Sequence, residues 1–413
     1  MYKRLATDLV KVFNEGAYLS IVINNTFNEL NLSVNEKKIF TKIIYGVVEK
    51  KLLIDYNLAN LIRGKRVKPL IKNILRIGVY VIDYMNMKDH YIVNELVSTI
   101  KKNDYKSAMF INGVLRNYQR CEKPALDKLS ELERISIELS IPLDLCKLLY
   151  GQYKIKMIEF FDHDISYNSY RINTLKIDTK EVLDILEKEA ISYEIKGVNL
   201  LTKETLINHS LFTEGYIIAQ DSSSIRVGEV INPKPGSKVL DACSAPGGKS
   251  LHMATIMNNN GSITSCDVYE HKIKKIEDNA KKLGINIIKP LIADATTFDY
   301  QELFDYVLAD VPCSGLGVIG HKPDLKYHLT IKDIEDINKL QKDIINNVKR
   351  YVKDGGYLIY STCTINKLEN EWFIKDFLRE NKEFVKVEEE IILPNSKQDG
   401  FYICKMRKEV TNE

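Results

Sequence analysis

The sequence predicts an α/β protein in three parts: an all-helical N-terminal domain, a small α+β module, and a body built on a parallel, doubly wound sheet. Three observations predict it. In the first 120 positions apolar residues recur at three- and four-residue spacing, the pattern of helices that bury one face. Around 168–220 this changes to short alternating stretches around a single helical pattern. From about 221 onward strand, turn and helix repeat in that order, which builds parallel sheets. The expected division is 1–125 helical domain, 126–165 helical linker, 166–222 small module and 223–410 body. A chain of 413 residues with 45% hydrophobic content suits such a division.

In the helical domain the periodic apolar sets are Leu5, Leu9, Val10, Val12-Phe13, then Phe40, Ile43-Ile44, Val47-Val48, then Leu70, Ile71, Ile74, Leu75. Ser33 and Glu36 stand three apart, the spacing of a capping box. Pro69 suits the first turn of a helix, where its missing N–H costs nothing. Ile135, Leu139, Ile141 and Leu145 anchor the helical linker. In the module Tyr170–Leu175 alternates like a strand, Thr179–Ala190 reads as a helix and Ser192–Val198 as another strand. In the body the expected strands are Lys238–Ala242, Ser262–Asp267, Ile287–Ala293, Tyr306–Asp310 and Tyr357–Ser361. The helical patterns between them include His271–Leu283 and Ile331–Lys353.

Composition limits the function classes. No stretch approaches the ~18 apolar residues of a spanning helix. Met1-Tyr2-Lys3-Arg4 leads into an amphipathic segment, so a cytosolic protein without membrane partner is expected. The seven cysteines are scattered with no CxxC pair, so neither a disulfide framework nor a metal site is expected. Charge is uneven. Residues 1–120 carry 20 Lys+Arg against 10 Asp+Glu, while the whole chain is only +3. A basic appendage on a mildly acidic body suggests polyanion binding, and a solvated basic surface explains the same charge equally well.

On doubly wound sheets ligands bind beyond the carboxyl ends of the strands, so the residues there carry the argument. The first body strand ends in Asp241-Ala-Cys243-Ser244-Ala245-Pro246-Gly247-Gly248-Lys249-Ser250. Paired glycines before a helix let backbone amides approach a ligand. The GxxxxGK[ST] fingerprint is incomplete, since Cys243 stands at its first glycine, and GxGxxG is absent. The second strand ends in Asp267, placed to accept from ribose hydroxyls, and the third in Asp294, at the height of an adenine amino group. A lone acid after a strand also serves as a turn residue or helix cap. With Asp310 three acids stand in register, which favours a charged, adenosine-like cofactor.

Strand four runs into Asp310-Val-Pro312-Cys313 and strand five into Ser361-Thr362-Cys363. Two thiols at neighbouring carboxyl ends face one cleft, where nearby cations or helix N-termini lower a thiol pKa. Carbon 5 of cytosine is too weak a nucleophile to attack a methyl donor. A thiolate added to carbon 6 makes carbon 5 enamine-like, and an acid at ring nitrogen 3 stabilises the charge that builds up there.

These motifs, together with Gln220-Asp221-Ser-Ser-Ser before the cofactor loop, resemble the RNA cytosine-5 methyltransferase family, the Nop/Sun group, over roughly 168–410. The resemblance implies a Rossmann-like methyltransferase domain that binds S-adenosylmethionine through Cys243, Ser244, Ala245, Pro246, Gly247, Gly248, Lys249, Asp267, Asp294 and Asp310. It implies Cys363 as nucleophile, Cys313 as the thiol that assists release, and Asp310 as the acid. DNA cytosine-5 methyltransferases use a Pro-Cys thiol as nucleophile, so the choice of Cys363 over Cys313 rests on the family and not on spacing. The helical domain is similar to NusB-type RNA-binding domains through His90-Tyr-Ile-Val-Asn94-Glu95 and Phe110-Ile-Asn112-Gly113-Val-Leu-Arg116-Asn117. Combined, the two similarities point to the RsmB-type subgroup, with 16S ribosomal RNA or a small-subunit assembly intermediate as partner and no obligate protein partner. Gly320-His321 stand where that subgroup usually carries an arginine pair. Lys322 and Lys326, with Arg171 and the basic residues of 1–120, are the expected RNA-binding cations. The alternatives are the same chemistry on transfer RNA or another RNA, a non-catalytic RNA-binding assembly factor, and a small-molecule methyltransferase.

Overall fold

The computed structural model describes residues 1–85, 89–161 and 167–410, apart from the side chains of Asp89 and His90. The side chain of His90 in the NusB-like signature and the 165/166 boundary therefore lie outside what is described. The chain forms two compact units. One joins Met1–Ile158 to a distant segment, His321–Ile331; the other begins at Glu159 and holds the rest.

The first unit is helical: α1 (Tyr2–Asn14), α2 (Leu19–Glu29), α3 (Val34–Glu49), α4 (Lys51–Ala59), α5 (Pro69–Tyr84), α6 (Asp89–Lys101), α7 (Tyr105–Tyr118), α8 (Glu131–Glu138) and α9 (Leu143–Tyr153). The apolar spacing becomes a core around α5, which packs against α1, α3, α6 and α7. Leu5, Leu9, Phe40, Ile44, Ile74 and Leu115 are fully buried in it. Ser33 and Glu36 form the capping box, with Glu36 N donating to Ser33 Oγ and Ser33 N to Glu36 Oε2. Pro69 occupies the first turn of α5.

Nothing in the sequence marks the segment 321–331 as part of this unit. Its short helix α15 (Leu325–His328) and the preceding residue complete the ends of other helices. Asp324 Oδ2 accepts from Leu19 N at 2.9 Å, at the start of α2, where the residue before the helix supplies no side-chain cap. Lys326 Nζ donates to Glu49 O at 3.1 Å, the last residue of α3, and to Leu139 O at 3.4 Å. Acid at a helix start and cation at a helix end satisfy orphan backbone groups and oppose the helix dipole.

The second unit opens with the α+β module: β1 (Asn168–Ile172), α10 (Thr179–Lys188), β2 (Tyr193–Lys196), β3 (Asn199–Thr202), α11 (Ser210–Thr213) and β4 (Ile217–Ala219). Its antiparallel sheet has the order β2-β3-β1-β4. The strand expected over 192–198 is half of a hairpin that turns at Gly197-Val198 and returns as β3.

The body follows: α12 (Ser222–Ile231), β5 (Lys238–Asp241), α13 (Gly248–Ile256), β6 (Ser262–Asp267), α14 (Glu270–Leu283), β7 (Ile288–Ile292), β8 (Phe304–Asp310), α16 (Ile331–Val348), β9 (Val352–Thr362), α17 (Glu371–Glu380), β10 (Phe384–Ile392) and β11 (Phe401–Lys408). The strand order is β10-β11-β9-β8-β5-β6-β7, with β9 to β7 parallel and β10 and β11 antiparallel. The chain leaves β5 toward β6 and β7, then crosses back to β8 on the other side. The crevice between β5 and β8 is thus a topological switch point, where such sheets bind ligands. Helix α16 ends at Val348, short of the expected Lys353, because Val352 already pairs with Phe304 at the start of β9.

Candidate active site

The loop after β5 is tied down from within. Ser250 Oγ donates to Asp241 Oδ2 at 2.6 Å and lies 2.7 Å from Ser265 Oγ. Burial pushes the Asp241 carboxyl up to about 7. Ser244 N donates to Cys266 O, anchoring the loop to the neighbouring strand. Gly247 then turns with φ +100°, and a Cβ there would press on the Ile276 side chain at 3.2 Å. Gly247 is the N-cap of α13 and offers no side chain, so the first amides of that helix stay available to a ligand.

Three carboxylates stand at successive strand ends. Asp267 Oδ1 accepts from Tyr269 N at 3.1 Å and lies 3.5 Å from Lys272 Nζ. Asp294 is exposed, and its Oδ1 accepts from Thr296 N and Oγ1, bonds that hold its pKa below the ordinary value. Asp310 accepts from Lys249 Nζ and from Ser361 Oγ, each at 2.7 Å. Burial opposes the charge on Lys249, but the Asp310 carboxylate outweighs it and raises the ammonium's pKa.

Cys243 reports the field at this place. Burial and then the charges of Asp241, Asp310 and Asp267 drive its thiol pKa well upward. Burial is the larger cause and disfavours charge of either sign, while the carboxylates around the thiol favour a cation over an anion. The residues therefore fit a cationic sulfonium beside an adenosine, with uncapped amides and acids at the strand ends as donors and acceptors.

The two thiols meet. Cys313 Sγ and Cys363 Sγ are 3.2 Å apart at the ends of β8 and β9. Contact with Cys363 and burial raise the Cys313 pKa well above its ordinary value. The contact is held by residues that sequence reasoning did not single out. Glu369, fully buried, accepts from Ser314 N at 2.8 Å and Ser314 Oγ at 2.5 Å. It also accepts from Asn366 Nδ2 at 2.9 Å and Gln341 Nε2 at 3.1 Å. Gln341 Nε2 donates in addition to Pro312 O. One carboxylate so clamps the Pro-Cys-Ser loop to the Thr-Cys-Thr loop. Gly317 N donates to Cys363 O, and a side chain at Gly317 would collide with the Gly400 carbonyl. The sequence offers little signal for Glu369. It stands shortly after the Ser361-Thr362-Cys363 strand end, in Glu369-Asn370-Glu371, which reads as an ordinary charged helix start.

Two expected RNA-binding cations are not where that role requires. Arg171 is fully buried on β1; its Nε donates to Gln220 Oε1 at 2.8 Å and its Nη1 to Thr255 Oγ1 at 3.3 Å. With no part of its side chain exposed, Arg171 is out of reach of a phosphate. Lys326 is buried in the helical unit on the carbonyls described above. Lys322 is exposed. Cys266 and Cys404 pack in the sheet core, as expected. Among the described residues no cluster of potential metal ligands occurs, and no helix is long and apolar enough to cross a membrane.

Fold and site together define a Rossmann-like methyltransferase that uses S-adenosylmethionine. Comparison with known proteins narrows the class. Residues 228–407 match the family described as 16S rRNA methyltransferase RsmB/F, and residues 3–120 match the NusB family. The Bacillus subtilis (strain 168) protein called "Probable ribosomal RNA small subunit methyltransferase B" is 35% identical over 97% of both chains. Ribosomal RNA small subunit methyltransferase B of Proteus mirabilis is 27% identical over 98% of this chain and 97% of its own. The crystal structure of PH0851 superposes with a TM-score of 0.83 at 27% identity over 99% of both chains. NSun6 from Pyrococcus horikoshii, solved with SFG, shares the fold at a TM-score of 0.59 and 22% identity, over 65% of this chain and 98% of its own. The chain belongs to the ribosomal RNA small subunit methyltransferase B family.

Proposed function

We propose that this protein methylates carbon 5 of one cytosine in 16S ribosomal RNA, the position usually numbered 967 in this family. The observation that carries the reading is the 3.2 Å contact between Cys313 and Cys363, beside the Lys249–Asp310 pair. A small-molecule methyltransferase or a binding factor has no use for two apposed thiols at the strand ends.

The loop Cys243 to Lys249, with Asp267, Asp294 and Asp310, would hold the cofactor. When bound, S-adenosylmethionine supplies an electrophilic methyl group. The target base must leave its stack to enter the cleft. The Cys363 thiolate adds to carbon 6, favoured by the Lys249 ammonium close enough to interact with it. Addition pushes charge onto ring nitrogen 3, where the proton shared by Asp310 and Lys249 neutralises it. Carbon 5 thereby becomes the nucleophile. Afterwards the carbon 5 proton passes to Cys313 as that thiol gives up its own, and the C5–H electron pair forms the C5=C6 double bond. The sulfur–carbon 6 bond breaks with its electron pair returning to Cys363, and the nitrogen 3 proton returns to the Asp310–Lys249 pair. Cys313, kept protonated by its raised pKa, donates to that departing sulfur. Lys322 is the remaining cation of the 320–326 segment able to meet phosphate. In domain terms, 1–125 grips RNA, 126–165 is the helical connection to the small module at 166–222, and 223–410 carries the chemistry.

The test uses wild type, Cys313→Ala and Cys363→Ala with small-subunit RNA and labelled S-adenosylmethionine. Cys313→Ala is expected to accumulate a denaturation-resistant protein–RNA adduct. Cys363→Ala is expected to form neither adduct nor 5-methylcytosine. Methylation by Cys363→Ala overturns the assigned roles, and an inactive wild type on every RNA overturns the reading.

A further inference from the structure

We infer that the helical unit carries a second RNA site of its own, a pocket that takes one unpaired nucleotide by its base and phosphate. The pocket lies between the loop before α5 and the start of α7, with a volume of about 350 Å³. That size falls within the range of roughly 300–1,000 Å³ typical of small-molecule sites. Lys65, Arg66 and Lys68 line it from the loop, Lys106 and Phe110 from α7, and Ile71 contributes an apolar wall. All four cations are exposed, and no carboxylate is among the described lining residues. The neighbouring acid, Asp104, is occupied as the N-cap of α7, accepting from Ser107 N at 2.9 Å and Ser107 Oγ at 2.7 Å. Its distance to Lys68 Nζ is a long 3.9 Å.

Two features point to a nucleotide over a simple anion. Lys65 Nζ sits over the Phe110 ring, 4.9 Å from its centroid, so that face of the ring already attracts a cation. A base stacked on this face releases Lys65 to the adjoining phosphate. Helix α5 also begins here without a side-chain cap and with Pro69 at its first position, and Lys68 and Ile71 of this helix start line the pocket, which suits the phosphate of a nucleotide. Cations around an aromatic platform are the composition of single-stranded RNA sites, and a duplex cannot present an unstacked base to it.

This inference rests on the RNA reading above, and its test separates the two. The full chain is titrated with a labelled single-stranded RNA oligonucleotide and with a duplex of equal length, over a salt series. Comparison is with Lys65→Ala/Lys106→Ala and with Phe110→Leu. The double variant is expected to lower the slope of log K against log salt by about 1.4, roughly 0.7 for each lost single-strand phosphate contact. Phe110→Leu is expected to weaken single-strand binding roughly tenfold and leave duplex binding within about twofold. Both lysines are exposed, and leucine retains the apolar contact of Phe110 with the core, so melting temperatures should hold. An unchanged slope in the double variant overturns the inference. So does an equal effect of Phe110→Leu on single strand and duplex, or displacement of the RNA by a polyglutamate peptide of matched charge. A wild type that binds as described but places no 5-methylcytosine in ribosomal RNA overturns the function and leaves the pocket standing.

Discussion

Lys249 Nζ and Asp310 Oδ2 lie 2.7 Å apart, joining the start of α13 to the end of β8 across the switch point of the sheet. Both side chains are largely withdrawn from water, and Ser361 holds the other Asp310 oxygen. In the proposed mechanism this pair links the cofactor loop to the reacting base, so a change at either end should reach both.

Replacing Lys249 by methionine leaves Asp310 as a half-buried charge without its cation. The loss of a preorganised charge at a reacting centre typically costs about 10²-fold or more in rate. Single-turnover methylation should fall by at least about 100-fold in Lys249→Met. Equilibrium binding of S-adenosylmethionine should weaken as well, since the same side chain closes the loop.

Glu369 acts on position. In Glu369→Ala the donors on Ser314, Asn366 and Gln341 lose their acceptor inside the protein, at a cost of about 1–3 kcal/mol for each group left unsatisfied. The melting temperature should drop, and adduct formation should drop with it. Glu369→Gln keeps the shape and one acceptor oxygen, and should recover most of the stability but only part of the adduct yield.

Arg171→Met tests the correction made at β1. Gln220 Oε1 and Thr255 Oγ1 lose a donor, so stability should fall by roughly 1–3 kcal/mol in denaturant titration. The salt dependence of RNA binding should be unchanged, because Arg171 meets no phosphate. A shallower salt slope in this variant would return Arg171 to the RNA surface.

Lys326 makes the helical unit sensitive to pH. Burial lowers its pKa to about 7, against an ordinary lysine value of about 10.4. Between these values the unfolded chain holds a proton that the folded chain has released. Stability therefore rises with pH from about 7 to about 10, and the burden of the buried charge is fully present below about 7. Thermal melts across this window should show the rise in wild type, and Lys326→Met should flatten it.

The legible parts of the chain are those in which local pattern and tertiary environment agree. The parallel strands can be read because strand, turn and helix alternate along the chain, and β8 and β9 carry apolar runs that are buried on both faces. The capping box of Ser33 and Glu36 and the turn at Gly247-Gly248 are local devices with fixed spacing. What escapes sequence reading depends on distant partners. Strand β10 runs through Val387-Glu388-Glu389-Glu390, and its charged, exposed side chains give no apolar alternation although the backbone pairs with β11 along its length. Arg171 and Lys326 have the residue type of a phosphate contact, and only the fold reveals that each is inside. Glu369 looks like any acid at a helix start until Ser314, 55 positions earlier, is brought against it.

The helical unit needs residues 321–331, which the chain supplies only after β8. On the ribosome the first 158 residues can emerge and collapse, yet the start of α2 and the end of α3 stay open until Asp324 and Lys326 have been synthesised. An N-terminal fragment ending at 158 would carry most of the sequence of this unit without the parts that finish it. No single cleavage point divides the protein into its two units, and grafting the helical unit onto another enzyme would require transplanting two pieces of chain.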